Sequence, residues 1–269
     1  MAMVLESCST DEVCKALGGN DELLADLRSK LKDWLLHQPH LPQDMPEQRL
    51  EHFVISTKHS LELAKQKLDM YYTVRRLVPE LFAERDPQAQ YVTRLNESLY
   101  TFMVGDIRIS ECRSLGDIYI YDLSAMRVGH LAKLTPAILK KAEVAATKAY
   151  GARIKGIHFI NAPNFIDRIV TLVKSAIKPK LASRVHVHSS GLDSLYEHVP
   201  KSVLPSDYGG EQASMNELDE KWRGKLADWR DWFLKEEVLN ANEDLRPGPQ
   251  LDVDDLFGFQ GSFRKLEVD

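Results

Sequence analysis

Between Arg168 and Arg184 the chain carries five cations, Arg168, Lys174, Lys178, Lys180 and Arg184, and no acid, although the formal net charge of the whole is −5. Clustered Lys and Arg suit an anionic surface, where each is worth about 1 kcal/mol, and Arg can grip a phosphate with two parallel N–H bonds. The competing reading is a solvated helix face. His186 and His188 fall on one face of an alternating segment. No third residue has a spacing that would complete a zinc site, so a structural or hydrogen-bonding role is expected. The sequence has no GxGxxG, no GxxxxGK followed by Ser or Thr, no GxSxG and no HExxH. Asp252-Val253-Asp254-Asp255 opens like a calcium loop but lacks its Gly and closing Glu, and reads as a solvated acidic tail. These residues point to binding: no catalytic group, no metal and no cofactor is expected, so the chain is not read as an enzyme.

The elements that must position the cations run from Arg153 to Glu211. Arg153–Ile160 carries Ile154, Ile157, Phe159 and Ile160 and predicts a largely buried strand. Asn161-Ala162-Pro163-Asn164 stops it, with Asn164 as the expected helix cap. The following helix has a wide apolar face of Phe165, Ile166, Ile169, Val170, Leu172, Val173 and Ile177, and Pro179 ends it. Arg184–His188 is a second strand, Ser190-Gly191 closes it, and Leu192–Val199 reads as a short helix. By spacing alone the Phe165–Ile177 helix is a crossover packed on a sheet. Gly116–Leu123 alternates and is a further strand, so three strands separated by helices imply right-handed parallel crossovers.

At 269 residues and 43% hydrophobic, the chain can hold one large domain or a large and a small one. Its acidity argues against general nucleic-acid binding. There is no secretory leader pattern in Met1–Asn20 and no apolar run long enough to span a bilayer. Cys8, Cys14 and Cys112 form no metal or CxxC spacing and read as free thiols of a reducing compartment, so a cytoplasmic monomer is expected. Met1–Gly19 has weak periodicity and is expected to be a mobile lead-in. Helices are predicted over Asp21–His37, Pro46–Ile55 and Ser60–Val78. Further helices are predicted over Tyr91–Val104, over Gly129–Tyr150 with a kink or second start at Pro136, and over Ser214–Val238. Asn240–Asp255 reads as mobile, and Phe257–Phe263 as a segment that could pin the tail back.

KGIHFINAP, an amphipathic helix, IKPKL, RVHVHSS and then LPSDYGGE follow one another in an order that resembles the lipid-binding domain of the CRAL-TRIO family. WLLHQPHLP and LDMYYTVRRLVPELF resemble its N-terminal helical module. The fold class implied is α/β, a three-helix module followed by a CRAL-TRIO domain with a mostly parallel sheet and a gate helix. The divisions are 1–20 lead-in, 21–88 helical module, 89–211 lipid-binding domain, 212–240 C-terminal helix and 241–269 acidic, Pro-containing tail. One departure stands out. The family has a further strand after its RDP segment, whereas Arg85-Asp86-Pro87 here runs almost at once into the Tyr91 helix. Either the sheet is one strand smaller or the chain is a shortened form.

The resemblance implies a cytosolic carrier of a hydrophobic small molecule, tocopherol-, retinoid- or otherwise lipid-like, peripheral on membranes. The Phe165–Ile177 helix would then be a gate that opens at phosphoinositide-containing membranes. A pocket of Ile118, Ile120, Phe159, Phe165, Ile169, Leu172 and Val173 is expected, with Tyr119 and Tyr121 on the opposite face of their strand. Phosphoinositide contacts carry over to Arg153, Lys180 and Arg184, with Lys178 beside them. The family's remaining Arg, in the helical module, has no match, and Lys58 stands nearest. The second reading is a phosphoinositide-membrane or protein interaction module on the same scaffold without cargo. A nucleotide-binding enzyme is disfavoured by the missing glycine loop.

Overall fold

The computed structural model describes residues 3–5, 7–89, 97–131 and 133–257. Its sheet is built where the sequence concentrates β-branched and aromatic residues. Strands β1 (Asp117–Asp122), β2 (Ile154–Ile160) and β3 (Val185–His188) pair in parallel in that order, with β2 central. Parallel neighbours require crossovers. The first runs through α7 (Val128–Leu131), α8 (Pro136–Val144) and a π-helical turn at Ala145–Ala149, and the second through α9 (Ile166–Ala176) and α10 (Pro179–Ala182). The described residues form a three-stranded sheet, one answer to the short link after Arg85-Asp86-Pro87.

Register decides what each face carries. Tyr119 sits opposite Ile157 and Tyr121 opposite Phe159, while Ile120 sits opposite His158 and Ile160 opposite His188. Side chains alternate along a strand. One face therefore presents Tyr119, Tyr121, Ile157 and Phe159 to α9. The other presents Ile120 and Ile160 to Leu195, Val199 and Leu204 of the segment that follows β3.

The helical half comprises α1 (Thr10–Ala16), α2 (Asp21–Leu36), α3 (Glu47–Ser56), α4 (Leu61–Leu77), α5 (Pro79–Phe82) and α6 (Glu97–Glu111). Leu24, Leu27, Leu31 and Leu35 of α2 are buried at helical spacing. One core joins these helices to the π turn through Val144, Ala145, Ala149 and Tyr150. The expected mobile lead-in is instead ordered over α1. Ser9 and Glu12 form a reciprocal capping box and Val13 and Cys14 are buried, so two orphan donors are satisfied and the helix docks by its apolar side.

Other boundaries differ for local reasons. The chain turns at Pro163, whose carbonyl accepts from the Ile166 N–H at 2.9 Å, so α9 starts after Phe165 with no side-chain cap and Asn164 does not cap it. Within residues 129–150 the second start allowed at Pro136 is present: Thr135 caps it, with Pro136 at its first turn. The late helix is two, α12 (Met215–Asp228) and α13 (Arg230–Glu236), parted at Trp229. α11 spans Asp193–Tyr196. Residues 91–96 of the helix expected over Tyr91–Val104, and residues 258–263 of the tail, lie outside the described residues.

The segment after Asn240, expected to be mobile, is strapped to α4. Ala241 is fully buried, and its N–H donates to the Tyr72 carbonyl at 3.2 Å. Arg246 grips Asp69 with two nitrogens at 2.6 and 2.7 Å, the bidentate geometry that makes such pairs strong. A final helix, α14 (Val253–Phe257), buries Phe257 in the same core. The Gly pair of LPSDYGGE also has a steric cause. A side-chain carbon at Gly210 would stand 1.9 Å from the Leu204 carbonyl oxygen, and Gly209 takes the left-handed φ of 68°.

Candidate functional site

α9 lies across the inner face of the sheet, and between them and α6 and α8 is a half-open cavity of about 580 Å³. Its walls are mostly apolar. Tyr119, Tyr121, Ile157 and Phe159 come from the sheet, Ile169 and Val173 from α9, and Ile138, Leu139 and Ala142 from α8. The Tyr119 and Tyr121 rings stack at 6.5 Å, and Tyr121 tilts against Phe159 at 5.8 Å. Burial raises the Tyr119 phenol to about 12 and the Tyr121 phenol in the same direction, so both stay neutral near pH 7.

Three of the expected pocket residues, Phe159, Ile169 and Val173, line this cavity. Ile118 and Ile120 do not. They lie on the opposite parity of β1, where Ile120 packs with Leu195 and Leu204, and Ile118 is exposed. The inward parity belongs to the tyrosines, reversing the expected order: a phenol can bury its ring and still meet polar groups at its rim. Phe165 and Leu172 are also outside the wall. Phe165 precedes the first turn of α9 and packs against the sheet cluster, and Leu172 is turned away from the buried Ile169 and Val173 stripe.

Of the expected phosphoinositide residues, Arg153 lines one end of the cavity and donates to the Ser114 carbonyl at 2.6 Å. Arg184 is half-buried and donates to the Ile154 carbonyl, knitting the base of β2 to β3. Lys178 and Lys180 are exposed around α10, with Lys178 3.9 Å from Glu143. Arg153 and Lys178 both act electrostatically on Lys67 of α4, which the sequence reading missed. Burial, then these two positive charges, bring the Lys67 ammonium down to about 8. Nothing in KQKLD distinguishes Lys67 from a solvated helix lysine.

On the outer face of the sheet His186 and His188 do share a side, and His158 and His198 join them. The His158 ring stacks on His186 at 4.9 Å and on His188 at 5.2 Å, and His198 tilts over His186 at 4.7 Å. His158 Nδ1 and His188 Nε2 are hydrogen-bonded at 2.9 Å, and His188 Nδ1 meets Ser194 Oγ at 2.7 Å. Burial first, then the neighbouring His186, His188 and His198, lowers His158 to about 4. Burial, then His198, also lowers His186 and His188, with Lys174 of α9 adding to the first and Glu197 partly opposing the second.

The folded chain thus resists protonation at His158 while the unfolded chain accepts it near pH 6.5. Stability from this group is complete above about 6.5 and is lost as pH falls toward 4. We expect His158 to lower the unfolding free energy by about 2 kcal/mol between pH 6.5 and 5, and His158→Gln to flatten the slope. Urea midpoints across that range check it, and an identical slope in the variant would refute it.

Residues 70–210 match the family model described as CRAL/TRIO domain, and residues 20–92 match one described as Pinta-like, UBA domain. The alpha-tocopherol transfer protein-like protein of Homo sapiens is 26% identical over 234 residues, which covers 74% of this chain and 68% of that protein. Its Mus musculus counterpart is 25% identical over 249 residues, 80% of this chain and 70% of that protein. Clavesin-1 of Rattus norvegicus is 38% identical over a shorter 95 residues, 35% of this chain and 27% of that protein.

Proposed function

The chain belongs to the CRAL/TRIO domain family, and from that premise we propose that it carries one hydrophobic small molecule in the α9-covered cavity and exchanges it at membranes. The observation that carries this reading is the apolar cavity of about 580 Å³, which lies within the roughly 300–1,000 Å³ of small-molecule sites. Two relatives named as alpha-tocopherol transfer protein-like favour a tocopherol- or retinoid-sized cargo. Such a ligand is held mainly by apolar area, at about 25 cal/mol per Å² buried. In this reading the protein is a carrier and not an enzyme, and it visits membranes from the aqueous side. Among the described residues no helix is long and apolar enough to cross one.

The gate is α9. Ile169 and Val173 close on the cargo, while Arg168 and Lys174 are exposed. Lys178 and Lys180 follow it on the outside and meet an anionic, phosphoinositide-containing surface, so docking pulls the gate outward. Arg184 contributes less because its guanidinium serves the sheet. The test loads the protein with a fluorescent tocopherol analogue and measures release to vesicles with and without phosphatidylinositol bisphosphate. Two lysines at about 1 kcal/mol each predict a roughly thirtyfold loss of vesicle affinity in Lys178→Gln with Lys180→Gln, and a loss of stimulated release. Unchanged stimulation would refute the coupling.

A further inference from the structure

One turn of α3 meets the cavity with two acceptors whose hydrogens are already given away. His52 and Ser56 both line it, and at four residues apart they share one face of the helix. His52 Nε2 donates to the Tyr150 carbonyl at 3.0 Å. A carbonyl can only accept, so that nitrogen carries the proton. Burial lowers the imidazole to about 4, against the pull of the Tyr150 hydrogen bond. The ring is therefore neutral near pH 7, and its Nδ1 keeps a free lone pair. Among the described residues nothing donates to Nδ1, and the half-buried ring leaves it open rather than sealed in protein.

Ser56 repeats the pattern. Its hydroxyl donates to the Phe53 carbonyl at 3.1 Å, back along the same helix, so its oxygen is also left accepting. Gly151 passes beside it as bare backbone at φ +67°, and a side-chain carbon there would stand 2.6 Å from Ser56 Oγ. The nearby cations of the wall donate elsewhere: Arg108 to Asp117, Arg113 to Glu51 at 3.0 Å, and Arg153 to the Ser114 carbonyl at 2.6 Å. An apolar cargo without a hydrogen to give would displace water from both acceptors and leave them unpaired, which costs free energy. A cargo with an O–H would answer one of them. Sites built to pair with a ligand hydroxyl discriminate strongly against the analogue that lacks it.

We propose that His52 Nδ1 and Ser56 Oγ form a hydroxyl-accepting subsite, which takes the O–H of a lipid alcohol or phenol whose apolar body lies along Phe159, Ile169 and Val173. The subsite rests on the carrier reading and narrows its cargo to a lipid that can donate a hydrogen bond, in preference to its ether or to an ionised acid. His52 is the specificity-determining group, because its Nδ1 has no hydrogen of its own to turn, whereas the Ser56 hydroxyl can rotate.

The test uses two pairs that differ by one O–H, oleyl alcohol with its methyl ether and α-tocopherol with its methyl ether, with oleate as a third head on the first tail. Binding is measured by equilibrium gel filtration of the radiolabelled ligands. In at least one pair the wild-type chain is expected to hold the hydroxyl compound at least about tenfold more tightly than the ether, about 1.4 kcal/mol. His52→Gln can still donate to the Tyr150 carbonyl but leaves no acceptor at Nδ1, and should bring that ratio close to one. His52→Asn, whose amide oxygen falls near the Nδ1 position, should restore part of it. Ser56→Ala should lower the ratio by a smaller factor, and it decides the matter with the wild-type ratio if His52→Gln does not fold. Equal binding of hydroxyl compound and ether by the wild-type chain would overturn the subsite and leave the carrier reading standing. Binding of no ligand in either pair would overturn both. A ratio that survives His52→Gln, or oleate held as tightly as oleyl alcohol near pH 7, would overturn the subsite alone.

Discussion

Asp106→Ala is expected to leave little folded protein at room temperature. The Asp106 side chain is fully buried and answers two buried guanidiniums, Arg75 at 2.7 Å and Arg85 on its other oxygen. It also accepts from the Tyr71 hydroxyl at 2.6 Å, and Arg75 reaches on to the Tyr150 hydroxyl at 3.1 Å. Arg85 Nε and Nη1 and Arg75 Nε have no partner among the described residues. Among the described residues no second carboxylate pairs with either guanidinium, and Arg75 would keep only the Tyr71 and Tyr150 hydroxyls. Removing one member of a buried pair costs about 3–5 kcal/mol, and here one carboxylate serves two cations, against a total stability of about 5–15 kcal/mol. Asp106→Asn should lose nearly as much, because the shape stays and the charge goes. Asp106→Leu with Arg75→Met and Arg85→Met should recover a large part, since isosteric apolar replacement of a buried triad is often tolerated. Urea unfolding measures each, and a loss under about 1 kcal/mol in Asp106→Ala would contradict this account.

Asp106 also separates two acid effects. Burial pushes its carboxyl up, but the charges of Arg75 and Arg85 overcome that and hold it at about 2. Its folded value lies below the unfolded one, so its contribution is whole above about pH 4 and disappears only as pH falls toward 2. A stability loss between pH 6.5 and 4 therefore belongs to histidines, His158 of the stack and His52 of α3, each lowered to about 4 mainly by burial.

Ala142→Trp is expected to abolish cargo binding while the fold persists. Ala142 faces the cavity from α8 and is only partly buried, so an indole there grows into open space rather than into packed core. Trp buries about 150–250 Å², which at about 25 cal/mol per Å² corresponds to about 4–6 kcal/mol of apolar contact taken from the ligand. Affinity for a fluorescent tocopherol analogue should fall by at least about a hundredfold, with the urea midpoint within about 1 kcal/mol of the parent. Binding that survives the plug would put the ligand elsewhere on the molecule.

The apolar elements were the legible part of this chain. β2 and its crossover helix were readable because burial on a parallel sheet demands near-continuous apolar residues, and Ile157, Phe159, Ile169 and Val173 supply them. β1 was readable as a strand but not in its parity, since Tyr119–Tyr121 and Ile118–Ile120 are equally consistent with alternation and only the partner register decides. α1 carried a signal, Ser9 followed by Glu12 at capping-box spacing, that was too short to register as periodicity. The strap after Asn240 depends on Arg246 meeting Asp69 across 177 positions, and no local pattern encodes such a pair. Lys67 was invisible for a related reason. The KQKLD segment reads as any amphipathic helix, and the lowered Lys67 ammonium comes from burial and then from Arg153 and Lys178, which other parts of the chain bring to it.

The central claim is that the cavity beneath α9 holds one small apolar-tailed molecule. It is tested most directly by extracting the purified, monodisperse protein with organic solvent and quantifying recovered lipid per protein by mass spectrometry, with Ala142→Trp in parallel. The account predicts a narrow set of lipids at close to one per chain from the parent and almost none from the plugged variant. A well-folded parent that yields no lipid, even after exposure to mixed lipids and retinoids, would contradict it and leave a membrane-binding module without cargo.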